Sequence, residues 1–144
     1  MSKMYIGSDH TGYELEEKIV KYLASKNIEV EVVNNKEEKV DYPDIAKVLS
    51  KKVVENNVLG IAICGTGIGI SIACNKVKGI RASICYDKYT VEMARKHNNL
   101  NMLCFGARTT VGQNFENIKE MIDIYISQEF EGGRHLERIN KLEI

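Results

Sequence analysis

Short apolar runs alternate along the chain with longer stretches in which apolar residues recur every three or four positions. The short runs predict strands and the longer stretches predict amphipathic helices. Strands and helices that alternate in this way are typical of a mostly parallel sheet covered by helices on both faces. We therefore predict an α/β fold, a three-layer, Rossmann-like α/β/α sandwich. Its five parallel strands are expected at residues 4–7, 28–33, 59–64, 80–85 and 101–105.

Several predicted helices carry recognisable end signals. Thr11 and Glu14 form a capping-box pattern before the first helix, with Thr11 expected to cap it. Pro43 marks the first turn of the second helix. The glycines at 132–133 separate the last long helix from a predicted terminal helix over residues 134–144.

Length and composition limit the class of protein. The 144 residues fit a single domain, predicted to span 1–144, and the balance of 20 basic against 20 acidic residues gives no electrostatic reason to expect nucleic acid or anionic lipid as a partner. No signal peptide or membrane-spanning run is seen, so we expect a cytoplasmic protein. The four cysteines form no C-x-x-C pair, which predicts reduced thiols rather than disulfides or a zinc site.

The segment after the third strand is the strongest candidate for chemistry. Cys64 ends an apolar run, glycines follow at 65, 67 and 69, and a helix is expected to start behind them. Glycines let backbone N–H groups approach a ligand, and a helix N-terminus beside a thiol stabilises its thiolate. The chain does not match two known loop patterns. Ile70 stands at the position of the last glycine in the dinucleotide-binding pattern G-x-G-x-x-G, and the same residue stands at the position of the arginine in a cysteine phosphatase loop. A functional thiol is favoured at Cys64, whereas the other three cysteines are expected to be packing residues.

Other polar groups have both a structural and a functional interpretation. Asp9 and His10 follow the first strand, where they form either a polar turn or a proton-transfer and phosphate-binding pair beside the end of the third strand. His97 near a helix C-terminus is either a dipole-stabilised cation or a general acid–base. Arg134 and Arg138 share one helix face, which suits a phosphate but is also common on solvated surfaces.

Seven separated motifs, in order, span nearly the whole chain. They read SDHTG at 8–12, DYP at 41–43, ICGTGIGIS at 63–71, NKVKGIRA at 75–82, HN at 97–98, FGAR at 105–108 and EGGRH at 131–135. Together they resemble the type B ribose-5-phosphate isomerases, which are grouped with the galactose-6-phosphate isomerase subunits. The resemblance implies reversible conversion of ribose 5-phosphate to ribulose 5-phosphate through an enediolate, in the non-oxidative pentose phosphate pathway. No metal and no organic cofactor are implied.

The resemblance also implies roles for residues of this sequence. Cys64 is the base, Thr66 tunes the thiolate, and His97 opens the furanose ring with help from Asp9. The substrate is held by two kinds of group. Backbone amides of the loop come from Gly65, Gly67, Ile68 and Gly69. Side chains come from His10, Tyr42, Asn98, Arg108, Arg134 and Arg138. Of these, the loop amides stabilise the enediolate oxygen, Tyr42 and Asn98 contact the sugar, and His10 and the three arginines grip the phosphate.

The family works as a dimer or a dimer of dimers. His97, Asn98 and Arg108 are therefore expected to reach into the partner's site, and the C-terminal helix to pack on the partner. Two other functions compete: an isomerase for allose or galactose 6-phosphate, and a non-catalytic phosphosugar-binding module. The module does not need Cys64 or His97, so their presence favours an enzyme. Departures from the family pattern are Asn99 for aspartate, Cys74 for alanine and the polar loop at 34–39.

Overall fold

The computed structural model describes residues 3–34 and 39–143, so most of the polar loop at 34–39 lies outside the described residues. The strands are β1 (Lys3–Ser8), β2 (Glu29–Val32), β3 (Leu59–Cys64), β4 (Ala82–Ile84) and β5 (Met102–Gly106). The helices are α1 (Tyr13–Ser25), α2 (Tyr42–Asn56), α3 (Ile68–Asn75), α4 (Lys88–Asn98), α5 (Phe115–Ser127) and α6 (Arg134–Asn140), with a short 3-10 turn at His10–Gly12.

The five strands form one parallel sheet in the order β2-β1-β3-β5-β4, which confirms the predicted fold. Central β3 is buried along its whole length, and its bounds agree with the apolar run in the sequence. The edge strands β2 and β4 are shorter than predicted because only one neighbour pairs with each. Ser8 lies opposite Ile63 and Cys64 lies opposite Gly106, so β1, β3 and β5 end at one edge of the sheet.

Alternate residues of each strand enter two separate cores. Ile61 and Ile63 pack with α1, α4 and α5 on one face, while Ala62 and Cys64 pack with α2 and α3 on the other. The hydroxyl of Tyr125, fully buried on α5, donates a 2.8 Å hydrogen bond to the carbonyl of Gly60. The three layers thus hold Cys64 at the end of the central strand.

The predicted cap at Thr11 is wrong. Asp9 caps the 3-10 turn by accepting a 3.0 Å hydrogen bond from the backbone N–H of Thr11, and the Thr11 hydroxyl also donates to that carboxylate. Gly12 then precedes α1 with no side-chain cap. Asp9 is the capping residue because it directly follows β1, where the chain leaves the sheet and the 3-10 turn begins.

The terminal helix is shorter than predicted. It ends at Asn140 rather than continuing to residue 144. Ile139 is its last buried residue, and residues 140–143 are exposed. Because short helices depend on buried contacts for their stability, the helix ends where those contacts stop.

All four cysteines are free and buried. Among the helices at 3–34 and 39–143, none has both the length and the apolar character that a bilayer crossing requires.

Candidate active site

Cys64 lies at the carboxyl end of β3 with its thiol facing the glycine loop. Its side chain is buried, and the backbone N–H of Gly67 donates to Sγ over 3.2 Å. The hydroxyl of Thr66 accepts a 3.2 Å hydrogen bond from the N–H of Ile68, the first residue of α3. A sulfur anion here would accept the same bond from Gly67 and face the positive end of a helix. Thr66 supports the helix start, and its action on the thiolate remains a prediction.

Two of the loop glycines are required by close packing. Gly67 has φ +81°, and a Cβ there would lie 3.0 Å from the backbone of Phe105. A Cβ at Gly69 would lie 2.6 Å from the ring of Tyr42, so that ring packs directly on the loop backbone. The loop is therefore pressed between β5 and the start of α2, which fixes the direction of its N–H groups.

Replacing Gly67 with alanine is expected to reduce the free energy of unfolding by about 1–3 kcal/mol, because a left-handed residue gains a Cβ that clashes with β5. Gly132→Ala is the matched control: its φ of +72° is similar, but nothing lies within 4 Å of the added Cβ. Urea unfolding of both variants measures the difference. Equal losses would mean that the loop is not packed as described.

Other predicted site residues gather at the same edge. The N–H of Asp9 donates to the carbonyl of Ile63 over 3.2 Å, which places this buried carboxylate next to the end of β3. Tyr42 covers Gly69 as described. His10 follows Asp9, and its Nδ1 lies 3.3 Å from the carbonyl oxygen of Val40, just before α2. The carboxyl edge of the sheet thus brings an acid, an imidazole and a phenol around the thiol loop.

Arg108 also belongs to this group. Its backbone N–H donates to the carbonyl of Gly65 over 2.9 Å, and its Nη1 lies 3.8 Å from where a Cβ on Gly65 would be. The turn after β5 thus folds the Arg108 side chain over the loop of its own chain, which favours a place in that chain's own site over the expected reach into a partner's. Arg108 supplies positive charge beside Cys64 of the same chain.

The remaining predicted residues form a second group, far from the first. His97 and Asn98 are on the last turn of α4, which leads to the start of β5, and α6 with Arg134 and Arg138 packs against α4. Met102 at the start of β5 pairs with Gly60, four residues before Cys64, which corresponds to roughly 13 Å along the strands. Within one chain, His97 and Cys64 lie toward opposite edges of the sheet.

A cluster that the sequence reasoning missed surrounds His97. The rings of His97 and His135 stack at 4.2 Å between centroids, with 11° between their planes. Oε1 of Glu131 lies 3.5 Å from Nε2 of His135 and 3.9 Å from Nε2 of His97. Burial lowers the pKa of His135, and the neighbouring His97 and Arg134 act in the same direction. The motif at 131–135 is visible in the sequence, but its spacing alone assigns no role to Glu131 and His135.

These three side chains are also the one group in the described part of the chain that has the residue types of a metal site, with ligand atoms within 4.8 Å of one another. Their arrangement does not fit a metal ion. Each imidazole lone pair lies in its ring plane, so two stacked, nearly parallel rings cannot both point at one ion. Arg134 and Arg138, whose charges reach His135, further disfavour a cation.

Comparison with known proteins agrees with the motifs. The sequence matches the family described as Ribose/Galactose Isomerase over residues 4–142. It is 40% identical to the ribose-5-phosphate isomerase B of Escherichia coli K12, covering 99% of this chain and 95% of that protein. It is 42% identical to a probable ribose-5-phosphate isomerase B of Mycoplasma pneumoniae, covering 96% and 91%.

Solved structures agree at the level of the fold. The ribose 5-phosphate isomerase of Thermotoga maritima superimposes with a TM-score of 0.92 at 42% identity, covering 99% of this chain and 97% of that one. The ribose-5-phosphate isomerase B of Mycoplasma genitalium, solved with bound ribulose-5-phosphate, superimposes with a TM-score of 0.89 at 38% identity. The match covers 97% of this chain and 93% of that one. The chain belongs to the ribose/galactose isomerase family, and the resemblance inferred from its motifs is confirmed.

Proposed function

We propose that the protein interconverts ribose 5-phosphate and ribulose 5-phosphate through an enediolate, with Cys64 as the base, in the non-oxidative pentose phosphate pathway. The observation that carries the proposal is the buried Cys64 thiol, which accepts a hydrogen bond from Gly67 at the mouth of a glycine loop. The names of the relatives and the ribulose-5-phosphate bound by one of them support this substrate.

The reaction moves one carbon-bound proton and changes no overall oxidation state. In the open-chain aldose, the Cys64 thiolate takes the proton from C2, and the electron pair forms the C1–C2 double bond of the enediolate. Negative charge develops on O1, where the N–H groups of Gly65 and Gly69 stabilise it. The N–H groups of Gly67 and Ile68 complete the loop by bonding to the Cys64 thiol and the Thr66 hydroxyl. Cys64 then returns the proton to C1, while a proton passes from O2 to O1, and the ketose is formed.

The separation of the two residue groups supports a site shared between subunits. His97, Asn98, Arg134 and Arg138 cannot approach Cys64 of their own chain, but in a symmetric dimer they would face the loop of the partner. Apolar side chains stand exposed on elements of both groups, with Ile68 and Ile72 of α3 55% and 56% exposed and Leu136 of α6 47% exposed. We propose a homodimer, or a homotetramer built from two such dimers, that buries these side chains.

The proposal divides substrate recognition between the two groups. Arg108 and His10 of one subunit, with Arg134 and Arg138 of the other, bind the phosphate, which anchors the sugar away from the reacting carbons. Tyr42 and Asn98 line the sugar pocket. His97, assisted by Asp9 across the interface, opens the furanose ring. No step requires a metal or an organic cofactor.

Steady-state conversion of ribose 5-phosphate, measured with a metal chelator present, tests the activity. We expect chelator-resistant turnover, with a kcat/KM for ribose 5-phosphate above that for allose 6-phosphate and galactose 6-phosphate assayed in parallel. A higher kcat/KM for either hexose phosphate would reassign the substrate. The absence of turnover with all three sugars would overturn the isomerase proposal in favour of a phosphosugar-binding module.

A further inference from the structure

The side chains that contact His97 within its own chain have no assigned role. His135 is 8% exposed at its side chain, whereas His97 is 38% exposed. His135 therefore presents a buried flat surface, and the half-buried ring of His97 stacks on it. We propose that His135 and Glu131 are positioning residues that hold the His97 imidazole in its orientation for ring opening. The inference rests on the proposed isomerase function.

The backbone around the cluster holds these side chains in place. The N–H of Glu131 donates to the carbonyl of Lys96 over 3.0 Å, and Nε of Arg95 donates to the carbonyl of Gln128 over 3.2 Å. These two bonds dock the segment after α5 onto the last turns of α4. His97 and Glu131 are thus brought together by direct contacts between their neighbours.

Two glycines return the chain to His97 after Glu131. Gly132 and Gly133 have φ of +72° and +56°, conformations that favour glycine. The N–H of His135 then donates to the carbonyl of Gly132 over 3.1 Å, which brings His135 back beneath the His97 ring at the start of α6. The E-G-G-R-H sequence places a carboxylate and an imidazole against the same histidine.

The two contacts have different physical roles. Stacking at 4.2 Å with parallel planes restricts rotation of the His97 ring about its side-chain bonds. The Glu131 carboxylate faces the Nε2 side of both rings, at 3.5 Å from His135 and 3.9 Å from His97. These distances exceed the usual length of a direct hydrogen bond, so the contribution of Glu131 is electrostatic. Orientation within the active site has a large effect on rate, so a loosened His97 should slow ring opening without removing substrate binding.

Ring opening can be separated from proton transfer by the choice of substrate. Ribose 5-phosphate is mainly a closed furanose and must open. Ribulose 5-phosphate remains open, because its C5 oxygen carries the phosphate. Exchange of solvent deuterium into C1 of ribulose 5-phosphate therefore requires Cys64 and the enediolate but no ring opening.

The test measures both reactions in three variants. We expect His135→Ala to lower kcat for ribose 5-phosphate by about 10-fold or more, with little change in KM and with C1 exchange close to wild type. His135→Phe, which keeps a flat ring, should recover most of the lost kcat. Glu131→Gln, which keeps the shape and removes the charge, should give an intermediate kcat with exchange unchanged.

Three results would overturn the inference. They are an unchanged kcat in His135→Ala, a parallel loss of turnover and exchange in the folded variants, and a His135→Phe variant as slow as the alanine variant. If the alanine variant does not fold, the His135→Phe and Glu131→Gln variants still test the inference. His135→Phe must keep most of the kcat, Glu131→Gln must have a reduced kcat, and both must keep C1 exchange close to wild type. Any other result in a folded variant contradicts the inference. Failure of the wild-type protein in both reactions would instead overturn the isomerase proposal.

Discussion

Replacing Cys64 with alanine is expected to lower turnover of ribose 5-phosphate by about 10²- to 10⁴-fold, the range that a positioned proton-transfer group contributes. The loop should keep its shape, because the close contact of Gly67 with β5 remains when its hydrogen bond to the thiol is lost. Binding of ribulose 5-phosphate, measured by calorimetry, should therefore stay close to wild type. Exchange of deuterium into C1 should be lost together with turnover, whereas the His135 variants should keep this exchange.

Cys74→Ala is the matched control. Cys74 is on α3, the helix that follows the loop, and its fully buried side chain contacts the same core as Cys64. The variant should lose some stability but keep its turnover, since Cys74 has no role in proton transfer. Retained turnover in Cys64→Ala would exclude Cys64 as the base, and equal losses in the two variants would attribute the effect to packing.

Mixing two inactive variants is expected to restore activity. Cys64→Ala and His97→Ala each inactivate every site in their own homodimer. A hybrid dimer has one site with both residues intact and one site with neither. Random exchange of equal amounts gives half hybrids, so we expect recovery of about a quarter of the wild-type activity.

The control for this experiment is a mixture of Cys64→Ala with Asp9→Ala. Both residues are at the same edge of one chain, since the N–H of Asp9 bonds to Ile63 beside Cys64. Hybrids of these two variants contain no intact site and should stay inactive. Subunit exchange is verified with tagged chains. Absence of recovery in the Cys64–His97 mixture after verified exchange would contradict a shared site.

The sequence was sufficient to predict the sheet and the group around Cys64. A continuous apolar run marks a strand buried on both faces, which is why the bounds of β3 were correct. Parallel strands end at one edge, so Asp9 and Cys64 could be placed together from their positions alone. The pattern could not give the ends of β2 and β4, because an edge strand ends where its single neighbour stops pairing.

The direction of side chains and the packing of separate elements against one another could not be predicted from the sequence. Arg108 was expected across the interface, but the backbone bond from its N–H to Gly65 turns it over its own loop. The stack of His135 on His97 depends on two residues 38 positions apart and on the docking of Glu131 to Lys96. No periodic pattern reports such contacts, because they arise when two separately formed elements pack together.

Proton nuclear magnetic resonance of the wild-type protein with ribose 5-phosphate in D₂O tests the central claim most directly. Proton transfer by Cys64 through an enediolate predicts that ribulose 5-phosphate forms and that deuterium accumulates at C1 over many turnovers. Interconversion that retains the original hydrogen through many turnovers would indicate a direct hydride shift and would contradict this mechanism, and no interconversion would contradict the assigned activity itself.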